Sequence, residues 1–401
     1  MNMIAKLAWR NIWFKPLNTF LSIILLASSV GIITLLILLQ KQFEDQFSSN
    51  ADGVDLVLGA QGSPLQLVLS SVYQVDAPTG NVNYDSAKVW MRHPFVEKAI
   101  PLAFGDNYDG YKILGTTVDY LNKFDAKIID GKKKLNDFEV IVGATVAKRM
   151  NLKKGDTFYS IHGEAKEGEK HQTRPFKVVG LLKSTGKIID NVILCSIESV
   201  WRVHEETNHV NEVEHTEKES KEITSVLLKL RNKMAIMMWP RIIASNTKMQ
   251  AVSPAIEINR LFTLFGVGIQ ALSYLAYGIM IISGLSIFIT LYNRLKERKY
   301  EFALLRLQGA TKRQLMLLVL LESMFLCLVG FCFGTIIGRF ALKIVSKLSE
   351  EDFKISFNPF EFIWEKEILL LVITFLLGVI SALIPAMKAY KMNLSKTLAN
   401  A

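Results

Sequence analysis

Three histidines set among acidic residues are the side chains of this sequence best suited to holding a metal ion. His204, His209 and His215 lie in a strongly polar stretch that continues to Lys221. Imidazole and carboxylate groups are both ligands that Zn2+ accepts. Spacings of five and six residues do not make a fixed helical site, and the composition is typical of a solvated charged loop or frayed helix. We favour the loop and keep zinc binding as an open alternative.

No other group of residues has the spacing of a catalytic or nucleotide-binding site. Gly180 to Lys187 ends in Gly-Lys, as a phosphate-binding loop does. Five residues separate its glycines where the motif has four, and Ile188 replaces the hydroxyl residue that binds Mg2+. The remaining histidines lack partners at metal or triad spacing: His93, His162 and His171. The sequence therefore predicts a chain that is not an enzyme and binds no cofactor of its own.

Four apolar runs are long enough to cross a lipid bilayer. They comprise residues 18–39, 261–293, 314–338 and 368–387. The first carries no charge over 22 residues, which as a helix would extend about 33 Å against a hydrocarbon core of roughly 30 Å. That length exceeds the apolar core of a cleaved signal peptide, so we predict an uncleaved membrane anchor.

The basic residues predict how these spans are oriented. Lys and Arg precede the first span, crowd the loop after the second and follow the fourth, whereas the loop 346–367 is mostly acidic. The positive-inside rule then places an N-terminal amphipathic helix (1–17), the basic loop (294–310) and a tail (388–401) in the cytoplasm. The acidic loop is expected outside. Because the net charge of +10 collects beside the spans, we do not expect nucleic-acid binding.

The long segment between the first two spans, residues 45–259, is predicted to be a soluble α+β domain outside the cytoplasm. Short apolar runs punctuated by glycine predict strands at 54–58, 138–142, 176–179 and 224–228. A short helix is predicted at 144–150. The expected fold is therefore a membrane α-helical protein with four transmembrane helices and a large α+β extracytoplasmic domain.

The basic loop has the pattern of a short amphipathic helix. Tyr300, Ala303, Leu304 and Leu307 recur at helical spacing and form one apolar stripe. The stripe leaves the charged residues of the loop for partners or solvent. Gly309 is a natural helix stop, and the four residues from Thr311 form a capping box that begins the third span. A basic helical loop is also ordinary on the cytoplasmic side, so the pattern alone leaves protein binding undecided.

The order of residues in this loop resembles the coupling segment of FtsX/MacB-type ABC permeases. The match runs from Lys296 to Thr311, with Gln308 where a small or apolar residue is usual. Segments 7–12 and 385–389 are similar to the opening and closing motifs of the same family. These type VII, or mechanotransmission, transporters include LolC/LolE-like relatives. The resemblance covers both chain ends and all four spans, and the outer domain more loosely.

The resemblance implies a permease subunit of the bacterial cell inner membrane with both termini cytoplasmic. In this family two permeases pair, here with a second copy or a paralogue, and a separate cytoplasmic ABC ATPase carries the ATP and Mg2+. The outer domain is expected to be MacB-like, with a periplasmic or outer-membrane partner as a further expectation. The positions that match the ATPase-coupling motif are Arg298, Glu301, Arg306, Gly309, Ala310 and Thr311.

Two features of the third span concern helix packing. Glu322 is the ionisable residue of an otherwise uncharged run. A buried charge is costly in a bilayer, and we favour a structural hydrogen bond to a neighbouring helix over a proton relay. Gly330, Gly334 and Gly338 form a small-residue face that permits close helix contact. This face fits a dimer interface, and it fits packing within one subunit at least as well.

The leading functional prediction is export or extraction of a substrate, which is a lipoprotein, lipid, peptide or drug. The alternative is transmembrane signalling to a periplasmic cell-wall hydrolase. A third hypothesis, a metal-linked ABC system, depends only on the three histidines. The large outer domain favours the transporter.

Overall fold

A computed structural model describes residues 3–14, 16–162, 174–208, 221–352 and 356–392. The chain divides into two compact units. Unit 1 comprises Met1–Phe43 and Leu264–Ala401, and unit 2 comprises Glu44–Thr263.

Twelve α-helices form within the described residues. They are α1 (Met3–Ile12), α2 (Pro16–Ala51), α3 (Pro64–Val72), α4 (Tyr84–Met91), α5 (Val118–Lys123), α6 (Ala144–Arg149), α7 (Ile197–Asn208), α8 (Ala235–Asn246), α9 (Pro254–Glu297), α10 (Lys299–Leu307), α11 (Lys312–Asp352) and α12 (Trp364–Tyr390). A 3-10 turn occupies Ile188–Asn191.

Four of these helices, α2, α9, α11 and α12, are long and apolar enough to cross a membrane. Each contains one of the runs predicted to span the bilayer. Helices α2 and α9 extend well past the apolar runs, to 36 and 44 residues. Many of their large apolar side chains are exposed, as expected for surfaces that face lipid.

The predicted loop 346–367 is shorter than expected. Helix α11 continues to Asp352 and α12 begins at Trp364, so both ends of this segment are helical. The sequence after Ser346 is rich in Lys, Leu and Glu, which favour helix in water as well as in lipid. The end of an apolar run therefore did not mark the end of the helix.

Arg339 of α11 holds the connection that leads into α12. Its Nη1 donates to the carbonyl oxygens of Pro359 and Glu361, each at 2.7 Å. Its Nη2 donates to Oε1 of Glu367 at 2.6 Å. The Glu367 side chain is only 6% exposed, so this ion pair is shielded from solvent.

The glycine face of α11 packs against α2 of the same chain. A Cβ atom on Gly334 would lie 2.8 Å from the carbonyl oxygen of Ala27, and one on Gly338 would lie 2.5 Å from that of Gly31. A Cβ on Gly330 would meet the side chain of Leu26. Real Cβ atoms do not approach this closely, so glycine permits the two backbones to meet. Of the two arrangements open from sequence, the structure has packing within one subunit.

Polar side chains join the remaining spans of unit 1. The Ser22 hydroxyl of α2 is 2.9 Å from that of Ser286 and 3.1 Å from that of Thr290, both on α9. The Ser323 hydroxyl of α11 donates to the carbonyl oxygen of Gly378 in α12 at 2.7 Å. Such bonds between helices add specificity where lipid removes the hydrophobic drive for association.

Unit 2 is built on a mixed sheet. Its strands are β1 (Leu56–Ala60), β2 (Val82–Asn83), β3 (Val96–Tyr108), β4 (Tyr111–Gly115), β5 (Ile128–Gly131), β6 (Glu139–Val142), β7 (Thr157–Phe158), β8 (Ile161–His162), β9 (Phe176–Leu182), β10 (Ile193–Cys195), β11 (Glu222–Ile223), β12 (Ser225–Leu230) and β13 (Met249–Val252). The four predicted strands correspond to β1, β6, β9 and β12, and the predicted helix corresponds to α6.

The main path of the 11-stranded sheet is β13-β1-β12-β3-β4-β10-β6-β9-β5. Strands β7 and β8 pair with β9 and β3, and β2 and β11 form a separate pair. The contacts β4–β10 and β6–β9 are parallel. Strand β3 pairs with β12 along its first half and with β4 along its second, with a bulge between Phe104 and Asp106. Side chains from most of these strands form one buried core.

Candidate functional site

The loop between the second and third spans folds as the short helix α10 between two sharp boundaries. Helix α9 ends at Glu297, and α10 is closed by Gly309, whose φ of +101° is accessible mainly to glycine. The backbone N–H of Gln314 donates to Oγ1 of Thr311 at 3.2 Å, and the Thr311 N–H donates to Oε1 of Gln314 at 2.7 Å. This reciprocal pair is the predicted capping box.

The apolar stripe of α10 lies mostly on its exposed face. Tyr300, Leu304 and Leu307 are 50%, 38% and 59% exposed, and of the predicted stripe only Ala303 is buried. Phe302 is buried beside Ala303 and belongs to the core of unit 1. Phe302 seats the helix instead of the stripe, because burying its large apolar ring is favourable.

Two charged residues of the predicted coupling set pair with each other at the start of α10. Nε of Arg298 lies 2.7 Å from Oε2 of Glu301, and its guanidinium stands 5.3 Å from the ring centre of Phe14. The Glu301 side chain is 48% exposed, so the pair contributes little to stability. Further along, Nη1 of Arg306 donates to the carbonyl oxygen of Ala310 at 3.2 Å and helps to close the turn.

Arg294, near the end of α9, is buried inside unit 1. The sequence placed it among the basic residues of the loop, yet it belongs to α9 and is only 5% exposed. Its Nη2 donates to the carbonyl oxygen of Ile12 at 3.0 Å and to Oγ1 of Thr19. The Thr19 hydroxyl donates to the same carbonyl at 2.8 Å. Ile12 is the last residue of α1, so Arg294 satisfies a carbonyl that the helix leaves unpaired.

A second buried contact fixes α1 to the third span. Nδ2 of Asn11 donates to Oε1 of Glu322 at 2.7 Å, and both residues are buried. The Trp9 ring packs edge-on against Phe325 at 5.7 Å between ring centres. Glu322 therefore makes a structural hydrogen bond to a neighbouring helix, as we favoured, and that helix is α1. Asn11 and Arg294 were missed because their burial depends on how α1 folds back.

These contacts give unit 1 a firmly held surface at one end of its helix bundle. We call the exposed face of α10 the coupling surface and define it by Tyr300, Leu304 and Leu307 together with the Arg298–Glu301 pair. Exposed apolar residues beside charges are typical of a protein-binding surface. Phe302 and Ala303 of the same helix are buried. A force applied to the coupling surface is therefore transmitted to the helices packed against them.

The other sequence candidates do not form sites in the described residues. Only the backbone of His204 is described, within α7, while His209 and His215 fall outside the described ranges, so the zinc site stays a prediction. No group of three or more His, Cys, Asp or Glu in the described part of the chain is arranged to hold a metal ion.

The turn that superficially matched a phosphate loop is already filled by a carboxylate. Asp190 accepts hydrogen bonds from the backbone N–H groups of Thr185 and Gly186 at 2.8 and 2.9 Å, and from the Ser184 hydroxyl at 2.9 Å. These are the donors that a phosphate would need.

Comparisons with known families decide the class of protein. A model of the FtsX-like permease C-terminal region matches residues 273–394. A model of the MacB-like periplasmic core domain matches residues 17–236, more than half of the chain. The chain belongs to the FtsX/MacB-type family of ABC transporter permeases. The family resemblance and the predicted fold class are thereby confirmed, and the permease is a membrane protein.

Individual proteins that resemble the permease share only low sequence identity with it. The permease is 26% identical over 238 residues to an uncharacterised ABC transporter permease of Methanocaldococcus jannaschii, which covers 59% of this chain and 58% of that protein. The match thus spans less than two thirds of the relative.

Two solved structures are similar over about half of the permease. The periplasmic region of MacB from Actinobacillus actinomycetemcomitans is 12% identical, with a TM-score of 0.34, and covers 52% of this chain and 94% of that one. The extracellular domain of the ABC-type transporter YknZ from Gram-positive bacteria is 11% identical, with a TM-score of 0.30, and covers 49% and 99%.

Proposed function

We propose that this permease docks a separate ABC ATPase on its coupling surface and relays ATP-driven motion to unit 2. The observation that carries the proposal is the exposed apolar face of α10, bounded by Gly309 and anchored from beneath by Phe302. An ATPase groove that buries Leu304 and Leu307 would gain apolar contact, and the Arg298–Glu301 pair would set its register. ATP and Mg2+ are then held by the ATPase and not by this chain.

The contacts behind the coupling surface supply a route for the motion. Arg294 ties the last turns of α9 to the end of α1 and to α2, and Asn11 ties α1 to α11 through Glu322. A displacement of α10 is therefore shared among these helices. A packed and hydrogen-bonded assembly of this kind moves as a body, because its interfaces do not deform continuously.

Charge and family membership support the proposed orientation and location. The Lys/Arg bias supports a cytoplasmic coupling surface and cytoplasmic termini in a bacterial inner membrane. The spans carry too few ionisable groups for a polar channel, which supports handling of the substrate at the MacB-like domain. Lipoproteins, lipids, peptides and drugs are the substrate classes we propose, and a second permease, identical or paralogous, completes the complex.

A pull-down from detergent-solubilised native membranes tests the proposal. We expect the tagged wild type to recover a nucleotide-binding subunit, and Leu304→Asp to lose it because a charge would replace a buried apolar contact. Glu301→Lys should also weaken recovery by reversing the charge beside Arg298. Met237→Asp, at an exposed apolar position of unit 2, is the matched control and should retain the ATPase.

The other outcomes separate the alternatives. Recovery of no ATPase by wild type, under conditions that retain other ABC complexes, would overturn the proposal. Recovery of the ATPase together with a cell-wall hydrolase would replace substrate transport by signalling as the output of the same relay.

A further inference from the structure

The last turn of α2 is fixed inside unit 2 by three hydrogen bonds from three separate segments. The Tyr73 hydroxyl donates to the carbonyl oxygen of Phe47 at 2.8 Å. Nζ of Lys123 donates to the carbonyl oxygen of Asn50 at 2.5 Å. The backbone N–H of Ile188 donates to Oδ1 of Asn50 at 3.1 Å. We call this set of contacts the joint.

The joint is buried, and its chemistry suits a helix end. Phe47, Asn50 and Tyr73 are each less than a tenth exposed, and the rings of Phe47 and Tyr73 pack at a tilt of 32° with their centres 4.5 Å apart. The final carbonyl groups of a helix lack partners within it, and they carry the negative end of its dipole. The Lys123 amine satisfies one of them and brings a cation to that end.

A cation–π contact with Phe124 also positions the Lys123 amine. Its Nζ stands 4.0 Å from the ring centre of Phe124, with Lys187 over the same ring at 6.0 Å. Burial lowers the pKa of Lys123 to about 8, with a smaller contribution from the charge of Lys187 and an opposing one from Asp52. A largely buried lysine amine needs a hydrogen-bond partner. Here that partner is the carbonyl oxygen of Asn50 at the end of α2.

Lys123 is also the last residue of α5, whose other end forms a wall of a cavity. This cavity has a volume of about 240 Å³ and is lined by Thr117, Val118 and Leu121 of the same segment. The sheet residues Ile141 and Leu194 also line it. Helix α5 is only six residues long, so a displacement of its last residue is expected to move the cavity wall too.

We propose that Tyr73, Asn50 and Lys123 are positioning residues that transfer movement of α2 to α5, and that α5 changes access to the cavity. This inference rests on the proposed function for the source of the movement. The relay would then have a defined output in unit 2: the three hydrogen bonds of the joint hold the helix end, and α5 carries its displacement to the cavity.

The test measures access to the cavity in the full permease–ATPase complex in lipid nanodiscs. Val118→Cys serves as the reporter in a Cys332→Ala background, since Cys195 and Cys327 are buried. We expect ATP with vanadate to change the rate of maleimide labelling by about fivefold or more, at the lower end of ordinary couplings between sites. Lys123→Met should abolish that change while ATP hydrolysis continues.

Rescue and control variants separate transfer of movement from general damage. Lys123→Arg retains a cationic donor and should restore part of the response. Lys154→Met removes an exposed ion pair with Asp130 elsewhere in unit 2 and should respond as the parent does. A full nucleotide response in Lys123→Met would overturn the inference, and so would a parent complex that hydrolyses ATP without any change in labelling.

The joint is testable even if no ATPase binds the permease, a result that would defeat the proposed function alone. Asn50→Leu removes the acceptor for the Ile188 N–H, whereas Asn50→Asp retains it. Hydrogen exchange at Ile188 and in the last turn of α2 should rise in the first variant and stay near wild type in the second. Equal exchange in the two variants would show that the joint does not hold the helix.

Discussion

Replacing Asn11 by leucine should release α1 from the bundle. The substitution leaves Oε1 of Glu322 buried without the donor that now stands 2.7 Å away. An unsatisfied buried acceptor costs about 1–3 kcal/mol. Since about 1.4 kcal/mol is a factor of ten in an equilibrium constant, the open form of α1 should become roughly 5- to 150-fold more populated. Hydrogen exchange of amides 4–12, measured by mass spectrometry on the detergent-solubilised permease, should accelerate by that factor.

Two control variants test this prediction. Asn18→Leu makes the same chemical change at an exposed position of α2 and should leave exchange in α1 unaltered. The double variant Asn11→Leu with Glu322→Leu removes both partners, so it should be far less damaging than the single change. Unchanged exchange in Asn11→Leu, or a double variant that opens as readily as the single one, would refute the claim that this bond holds α1.

Three further predictions concern positions in both units. Gly338→Ala should destabilise the bundle by about 1–3 kcal/mol, because its Cβ would meet the carbonyl oxygen of Gly31; Gly268→Ala, where the Cβ meets open space, should be neutral or slightly stabilising in the same thermal unfolding assay. The low pKa of Lys123 means that the unfolded chain binds the proton more readily, so stability should rise by about 3 kcal/mol between pH 8 and about 10.5; unfolding monitored by circular dichroism should lose this rise in Lys123→Met. Gly309→Pro removes a positive φ and an N–H bonded to the Arg306 carbonyl; ATP turnover should uncouple while membrane insertion, followed by fractionation, is retained.

Long apolar runs and the glycines that follow short apolar runs were the sequence signals that predicted most of the fold. The four spans are predictable because few residues other than apolar ones tolerate lipid over such lengths. Strand β3 was missed since it contains Pro101 and Gly105, which usually argue against a strand. The structure accommodates Gly105 in a bulge between Phe104 and Asp106, which the local pattern does not reveal.

The candidate site was predictable in position and only partly in orientation. Gly309 and the capping box at Thr311 are local signals, and both appear where expected. Which face of α10 is buried depends on tertiary packing. The buried face contains Phe302, whereas most of the regular apolar stripe is exposed. Arg294 has the same appearance in sequence as the exposed basic residues that follow it. Only the return of α1 beside α9 makes it a buried capping residue.

The ion pair between Arg339 and Glu367 has a consequence for how the protein is made. A charged side chain costs free energy in lipid when it has no partner. Each of the two residues would therefore oppose membrane insertion if its helix were inserted singly. The connection between α11 and α12 is short, so the two charges meet with little loss of chain entropy. We therefore expect α11 and α12 to leave the translocon together as a hairpin, with Arg339 and Glu367 already paired. The pair then acts during biogenesis as well as in the finished structure, by ensuring that the last two spans enter the bilayer as one unit.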